Sequence, residues 1–287
     1  MLVIPAGPDI LLLRSEHPAP PGWEVANLYL LGKNELTLVD TGYPHPETAA
    51  EVLRVIAGRT LTRIVLTHGH TDHAGAAAEL RDQTGAALLC HERELGAVRR
   101  RFPRLAIDQP VKEGDVFKAE DKRVRVLETP GHSPGHLALW IEAEGSLFTG
   151  DLVTGAGSTL VGPPEGDMTA YMQSLDKVLA LPARRLLPGH GPVVEQPQQR
   201  IRELIFHRQL RELQIGKLLE SGPRTLAQMV ETAYGGLIHP GLKGAATMTL
   251  LAHLDKLTRE GKVGFRPEGA SAGERTYFLT VATPLPY

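Results

Sequence analysis

The sequence predicts an α+β protein: two β-sheets with helices on their outer faces, then a smaller unit of helices closed by a hairpin. Three observations predict it. Short apolar runs broken by turn residues recur through the first two thirds of the chain, as in DILLLRS, NLYLLG and LTLVDTG. Stretches with helical spacing alternate with them, as in PETAAEVLRVIAG and MTAYMQSLDKVLAL. From about residue 197 the pattern changes to long amphipathic helices. The chain is therefore divided into residues 1–196 and 197–287.

In order, the first three runs read as antiparallel strands, and PETAAEVLRVIAG as a helix ending on a glycine. LTRIVLT is a buried-strand run. AGAAAELRDQTG is a helix that puts Asp72 and His73 near its N-terminus. AALLCH is the next strand, and residues 92–110 read as helical, then irregular. RVRVLETPGH, HLALWIEAEG, SLFTGD and RRLLPGH read as further strands. The Gly/Pro-rich loop VTGAGSTLVGPPEGD and the helix MTAYMQSLDKVLAL separate the last two. Beyond 197, QQRIRELIFHRQLRELQIGKLLES is one long helix and TLAQMVETAY a second. GAATMTLLAHLDKLTREG is a third, with Ala246, Leu250, Leu254 and Leu257 on one stripe. KVGFRPEGASAGERTYFLTV reads as a hairpin with a loose tip, and helices followed by such a hairpin resemble a winged helix.

Composition narrows the function. With 42% hydrophobic residues the chain can bury a full core, and a net charge of −2 gives no global attraction to nucleic acid or anionic membrane. The halves differ. Residues 196–287 hold twelve Lys and Arg against eight Asp and Glu, and residues 1–195 hold nineteen against twenty-five. The single cysteine, Cys90, excludes an internal disulfide and a cysteine-based zinc cluster, and its apolar run predicts a buried, inert thiol. No stretch approaches the ~20 apolar residues of a membrane helix, and the N-terminus lacks a basic leader. A cytoplasmic protein without membrane contact is expected.

The chemistry concentrates in THGHTDHAG, residues 67–75. His68 and His70 leave a strand two positions apart and can aim at one ion; Asp72 and His73 follow and can serve a second. TPGH supplies His132, FTGD supplies Asp151 and LLPGH supplies His190, each after a glycine that closes an apolar run. Seven N/O donors exceed the four or so that one zinc takes. They suit two ions about 3.5–4 Å apart with a bridging carboxylate.

This H-x-H-x-D-H, G-H, G-D, G-H series resembles the metallo-beta-lactamase superfamily over about residues 8–195. The resemblance implies a four-layer αββα sandwich and two zinc ions, with manganese or iron as alternatives. It assigns His68, His70 and His132 to one metal, Asp72, His73 and His190 to the other, and Asp151 to both. Asp72 would also orient a metal-bridging hydroxide formed from a water of lowered pKa. The true β-lactamases often place a cysteine where Asp151 stands, which argues against antibiotic hydrolysis. LVDTG also matches, placing Asp40 behind the ligands as an orienting residue. His136 reads either as a similar support or as a structural hydrogen bond. His91 reads as a cap or an exposed residue, His207 as a packing residue. Loop 155–166 reads as a substrate cradle or a plain connection.

Over nearly the whole chain the sequence is similar to the beta-lactamase-like protein 2 branch, a hydrolase domain followed by a winged helix. That branch includes endoribonucleases acting on single-stranded RNA and thioester hydrolases acting on acyl-carrier substrates. RNA phosphodiester cleavage is the first expectation, because two metals can clamp attacking and leaving oxygens. Lys243, Lys256, Arg259, Lys262, Arg266 and Arg275 form the candidate phosphate-contacting surface. Glu260, Glu268 and Glu274 interrupt it, and Phe265, Tyr277 and Phe278 read as core. Hydrolysis of a small acyl thioester, of acyl-carrier or hydroxyacylglutathione type, is the alternative. A thiolate whose conjugate acid has a pKa of ~8.5 leaves without a general acid. A non-enzymatic nucleic-acid-binding regulator is the third reading, and a homodimer is compatible with all three.

Overall fold

The computed structural model describes residues 1–17, 19, 24–236, 238–267 and 275–280. Among them the strands form three sheets. The first runs in chain order: β1 (Leu2–Gly7), β2 (Ile10–Arg14), β3 (Asn27–Leu31), β4 (Glu35–Val39), β5 (Thr60–Val65), β6 (Ala87–His91) and β7 (Gln109–Val111). The first four pair antiparallel and the rest parallel. The switch follows from the connections, since α1 (Thr48–Ile56), α2 (Thr71–Ala74) and α3 (Ala77–Thr84) carry the chain back between strands. After β6 comes α4 (Leu95–Arg101).

The second sheet contains β8 (Val116–Ala119), β9 (Lys122–Glu128), β10 (Leu137–Ile141), β11 (Ser146–Gly150) and β12 (Arg185–Pro188). α5 (Met168–Leu179) crosses between β11 and β12, which pair parallel. Side-chain alternation sorts the layers. Leu28 and Leu30 of β3 join Val52 and Ile56 of α1 in one core. Tyr29 and Leu31 face the other way, into a core shared with Leu139 and Phe148 of the second sheet. On that sheet's far side Trp140 and Leu147 pack with Tyr171 and Leu175 of α5, and with Ile201 and Leu204 of α6 (Pro197–Glu220). Each such buried Leu or Ile contributes ~1.5–3 kcal/mol, so packing holds these helices more than propensity does. The four layers are those expected.

The C-terminal unit continues from α6 through β13 (Arg224–Thr225), α7 (Leu226–Tyr234), α8 (Lys243–Arg259), β14 (Val263–Pro267) and β15 (Arg275–Leu279). Thr225 and Gln228 form a capping box that starts α7. Ile215, Met229, Leu250, Leu254, Leu257 and Tyr277 form its core. Three helices and a small sheet make the winged-helix arrangement. No helix among the described residues is long and apolar enough to cross a membrane.

The structure departs from the sequence reading in several places. It adds β1, β7, β8 and β13 to the strands expected: all four are sheet-edge strands, β1 and β7 contain prolines, and none has more than three consecutive apolar residues before a proline or polar residue. Asp72 and His73 lie in α2, a turn separated from α3 by the break at Ala76 (φ −96°, ψ 3°), and Gly75 between the two helices packs on the 42–44 backbone, where a Cβ would come within 2.3 Å of Pro44 N. His207 is exposed, since α6 turns Ile201, Leu204 and Arg208 inward instead. Ala246 is only half-buried, unlike the three leucines of its stripe, and Phe265 is 38% exposed. The hairpin tip, with Glu268 and Glu274, lies outside the described residues.

Candidate metal centre

The seven donors converge where four strands end. His68, His70 and the α2 pair follow β5, His132 follows β9, Asp151 follows β11 and His190 follows β12. In one group His132 Nε2 stands 2.8 Å from His70 Nδ1 and 3.2 Å from His68 Nε2, with His68 Nε2 3.0 Å from His70 Nδ1. In the second, His190 Nε2 lies 3.3 Å from His73 Nε2 and 3.2 Å from Asp72 Oδ2. Asp151 stands between them. Its Oδ1 is 3.3 Å from His73 Nε2, and its Oδ2 is 3.5 Å from His132 Nε2.

Hydrogen bonds on the outer ring nitrogens decide what faces inward. Thr67 Oγ1 donates to Asp40 Oδ2, so it accepts from His68 Nδ1–H. His132 donates its Nδ1–H to Leu160 O at 2.7 Å, His70 its Nε2–H to Glu165 at 3.0 Å, and His73 its Nδ1–H to Asp40 at 2.8 Å. In the first group, His68, His70 and His132, with those protons placed outside, the inner nitrogens present lone pairs to one another. Such a cluster repels itself unless a cation sits inside it. Ligand nitrogens around a tetrahedral ion at 2.0–2.1 Å are roughly 3.3 Å apart, close to the spacings seen. Asp151 Oδ1 is buried with no hydrogen-bond partner, as a vacant ligand atom would be. The donor set fits a divalent metal centre.

Burial holds His68 far below the ordinary imidazole value and His132 at about 4. Burial opposes a charge on His73 too, but the carboxylates of Asp151, Asp72 and Asp40 lift it well above. His190 is likewise raised against its burial, by Asp151 and Asp72. Burial would raise Asp151, yet His190 and His73 hold it well below the carboxylate range.

Supporting residues surround this set. Asp40 has a left-handed φ of 58° and accepts from the Thr67 N–H and hydroxyl as well as from His73. His136 accepts the Asp151 N–H at 2.9 Å on Nε2, and burial keeps it neutral, with its pKa at about 3. The glycine of FTGD has φ 46°, and a Cβ there would come within 2.6 Å of His136 Nε2. His91 is buried and caps the turn that follows β6, accepting from Arg93 N.

Three further contributors carry no sequence signal. Buried Glu94 accepts from Gly69 N, Ser133 Oγ and Gly135 N, tying the first histidine loop to the His132 loop. Glu165 holds His70 and is gripped by two Arg101 hydrogen bonds of 2.9 and 2.8 Å. Tyr43 lines the cavity, and burial pushes its hydroxyl up so that it stays protonated. No spacing could reveal such partners, since Glu165 is 95 residues from His70.

Above the donors opens a cavity of about 1330 Å³. The tail cations are not assembled as a free basic face. Lys243 pairs with Glu231, Lys256 with Glu212 and Glu260, Arg259 with Asp167, and Lys262 with Glu260. Arg266 and Arg275 stack over Phe278 and Phe265.

The metallo-beta-lactamase superfamily profile matches residues 21–190, and the beta-lactamase associated winged helix domain profile matches 225–269. The chain is 29% identical to an atrochrysone carboxyl ACP thioesterase of Aspergillus fumigatus, over 97% of this chain and 89% of that one. It is 31% identical to the beta-lactamase-like protein 2 homolog of Drosophila melanogaster, over 89% of each. A crystal structure of a metallo-beta-lactamase family protein from Thermus thermophilus is similar with a TM-score of 0.78 at 29% identity, covering 94% of this chain and 98% of that one. Profile, relatives and donor geometry agree: the chain belongs to the metallo-beta-lactamase superfamily of hydrolases and carries the associated winged helix domain.

Proposed function

We propose that the protein is a metal-dependent thioester hydrolase. The charge of the cavity carries this reading. Among its described lining residues the one arginine, Arg101, is already engaged by Glu165, while Glu24, Asp72 and Asp151 are acidic. No lysine and no unengaged arginine is left among the described lining residues to hold a phosphate backbone, and a neutral thioester needs none. The thioesterase name of the Aspergillus relative supports the same direction.

His68, His70 and His132 would hold one divalent ion, Asp72, His73 and His190 a second, and Asp151 would touch both; zinc suits these donors, as do manganese and iron. Bound there, the ions supply Lewis acidity at the carbonyl and an ionised water at neutral pH. Asp72, at the cavity floor, orients the water by accepting its hydrogen. Protonated Tyr43 donates toward the substrate's developing charge. The water oxygen adds to the carbonyl carbon and the C–S bond breaks. The thiolate leaves as such, because its conjugate acid is acidic enough, at ~8.5, to need no proton donor. The departed thiolate takes up one of the two protons lost by the water, so the products at neutral pH are a carboxylate, a thiol and one proton released to solvent.

Cleavage of single-stranded RNA is the second reading, favoured by Arg100 and Arg104, whose side chains stay 72% and 90% exposed although Glu165 and Asp82 stand 3.9 Å from them. One experiment separates the two. Metal-loaded protein is given decanoyl-pantetheine thioester or labelled RNA, with Asp72→Ala as the contamination control. Thiol release by the parent protein alone supports thioester hydrolysis. RNA cleavage by the parent alone, with no thiol released, replaces it with the second reading.

A further inference from the structure

We propose that the C-terminal unit forms the acyl-selecting wall of the cavity, with Leu242 and Ala245 receiving a long apolar acyl chain; this rests on the thioester reading above. His239, Gly241, Leu242 and Ala245 line the same cavity as His70, Asp72, His132 and His190. Leu242 is 44% exposed and takes no part in the core of its own unit, so its apolar surface is left for the cavity. Leu160, Val25 and Ala26 line it too, giving apolar surface from both units.

Size and charge identify the occupant. At about 1330 Å³ the cavity exceeds the roughly 300–1,000 Å³ of ordinary small-ligand sites. An acetyl group leaves most of it filled with water, whereas a chain of ten or so carbons reaches from the carbonyl position toward α8. Lys243, Lys256, Arg259, Lys262, Arg266 and Arg275 are engaged by carboxylates or rings, and what the unit turns to the cavity is mostly neutral.

The helix α8, which carries Ala245 and follows directly on Leu242, is fixed in place. Arg259 Nη1 binds Asp167 Oδ2 at 2.8 Å, and Arg208 Nη2 binds Thr159 O at 2.7 Å. Gly162 lies so close to α8 that a Cβ would stand 2.7 Å from Met248 Cβ. Ala252 of α8 is buried in the core of the second sheet. A surface held this way can select a substrate without first having to order itself.

The test measures kcat/KM for decanoyl- and acetyl-pantetheine with the metal-loaded parent, Leu242→Asp and Leu242→Met. The proposal expects the decanoyl-to-acetyl preference to fall at least ~10-fold in Leu242→Asp, as several methylenes lose apolar contact, and to survive in Leu242→Met. An unchanged preference in Leu242→Asp overturns it. If the parent releases thiol from neither substrate, the thioester reading itself fails, and calorimetric binding of decanoate then decides the wall. Binding lost in Leu242→Asp and kept in Leu242→Met sustains it, and equal binding by all three overturns it. Leu242 is exposed, so unchanged thermal midpoints are expected and separate a binding effect from misfolding.

Discussion

The two donor groups are organised by different means. In the first, every outer ring nitrogen has a fixed partner: Thr67 for His68, Glu165 for His70 and the Leu160 carbonyl for His132. In the second, His73 rests on Asp40, but His190 Nδ1 is buried without a partner. Carboxylates organise it instead, and they raise the pKa values of His73 and His190. The first group is shaped by hydrogen bonds before an ion arrives, the second by charge. In the absence of metal, protons compete more strongly for the second.

The largest expected effect comes from the residue the groups share. Asp151→Ala should lower thiol release on the order of 10³-fold, as loss of a central electrostatic group does, and reduce metal content at both groups. A variant that keeps its metal complement would end the idea of a shared ligand. Asp40→Ala should come next. It should weaken metal binding 10–100-fold at the second group only, seen as one displaced step in a competition titration with a chromophoric chelator. Equal displacement of both steps would erase the difference between the groups. Glu165→Gln is expected to cost ~10-fold at the first group, the low end for an orienting partner, because the amide oxygen still accepts from His70. Loss confined to the second group would reverse the assignment. The smallest effect is expected at Cys90, buried on β6 with its thiol pushed up to about 12, chiefly by burial. Iodoacetamide at pH 8 should leave it unmodified in the folded protein and label it after denaturation.

What the sequence made legible was what sits at the end of an apolar run. The seven donors each leave such a run, and the glycines before Asp151 and His190 are there because a side chain would strike His136 or Asp151 itself. Central strands are visible for the same reason, being buried on both faces, while edge strands β1, β7 and β8 have no such run. Glu94 and Glu165 are illegible because their partners are distant in sequence and near only through the fold. The expectation of RNA cleavage treats the tail cations as free. Arg259 is paired with Asp167 of the other unit, 92 residues away, and no local window contains that pair.

One contact reaches further than its size suggests. Arg208 grips the carbonyl of Thr159, and the next carbonyl, that of Leu160, holds His132. The helix that joins the two modules is therefore part of the metal centre's scaffold. Cutting the chain at 196 would leave His132 bonded to a segment that has lost its Arg208 clamp.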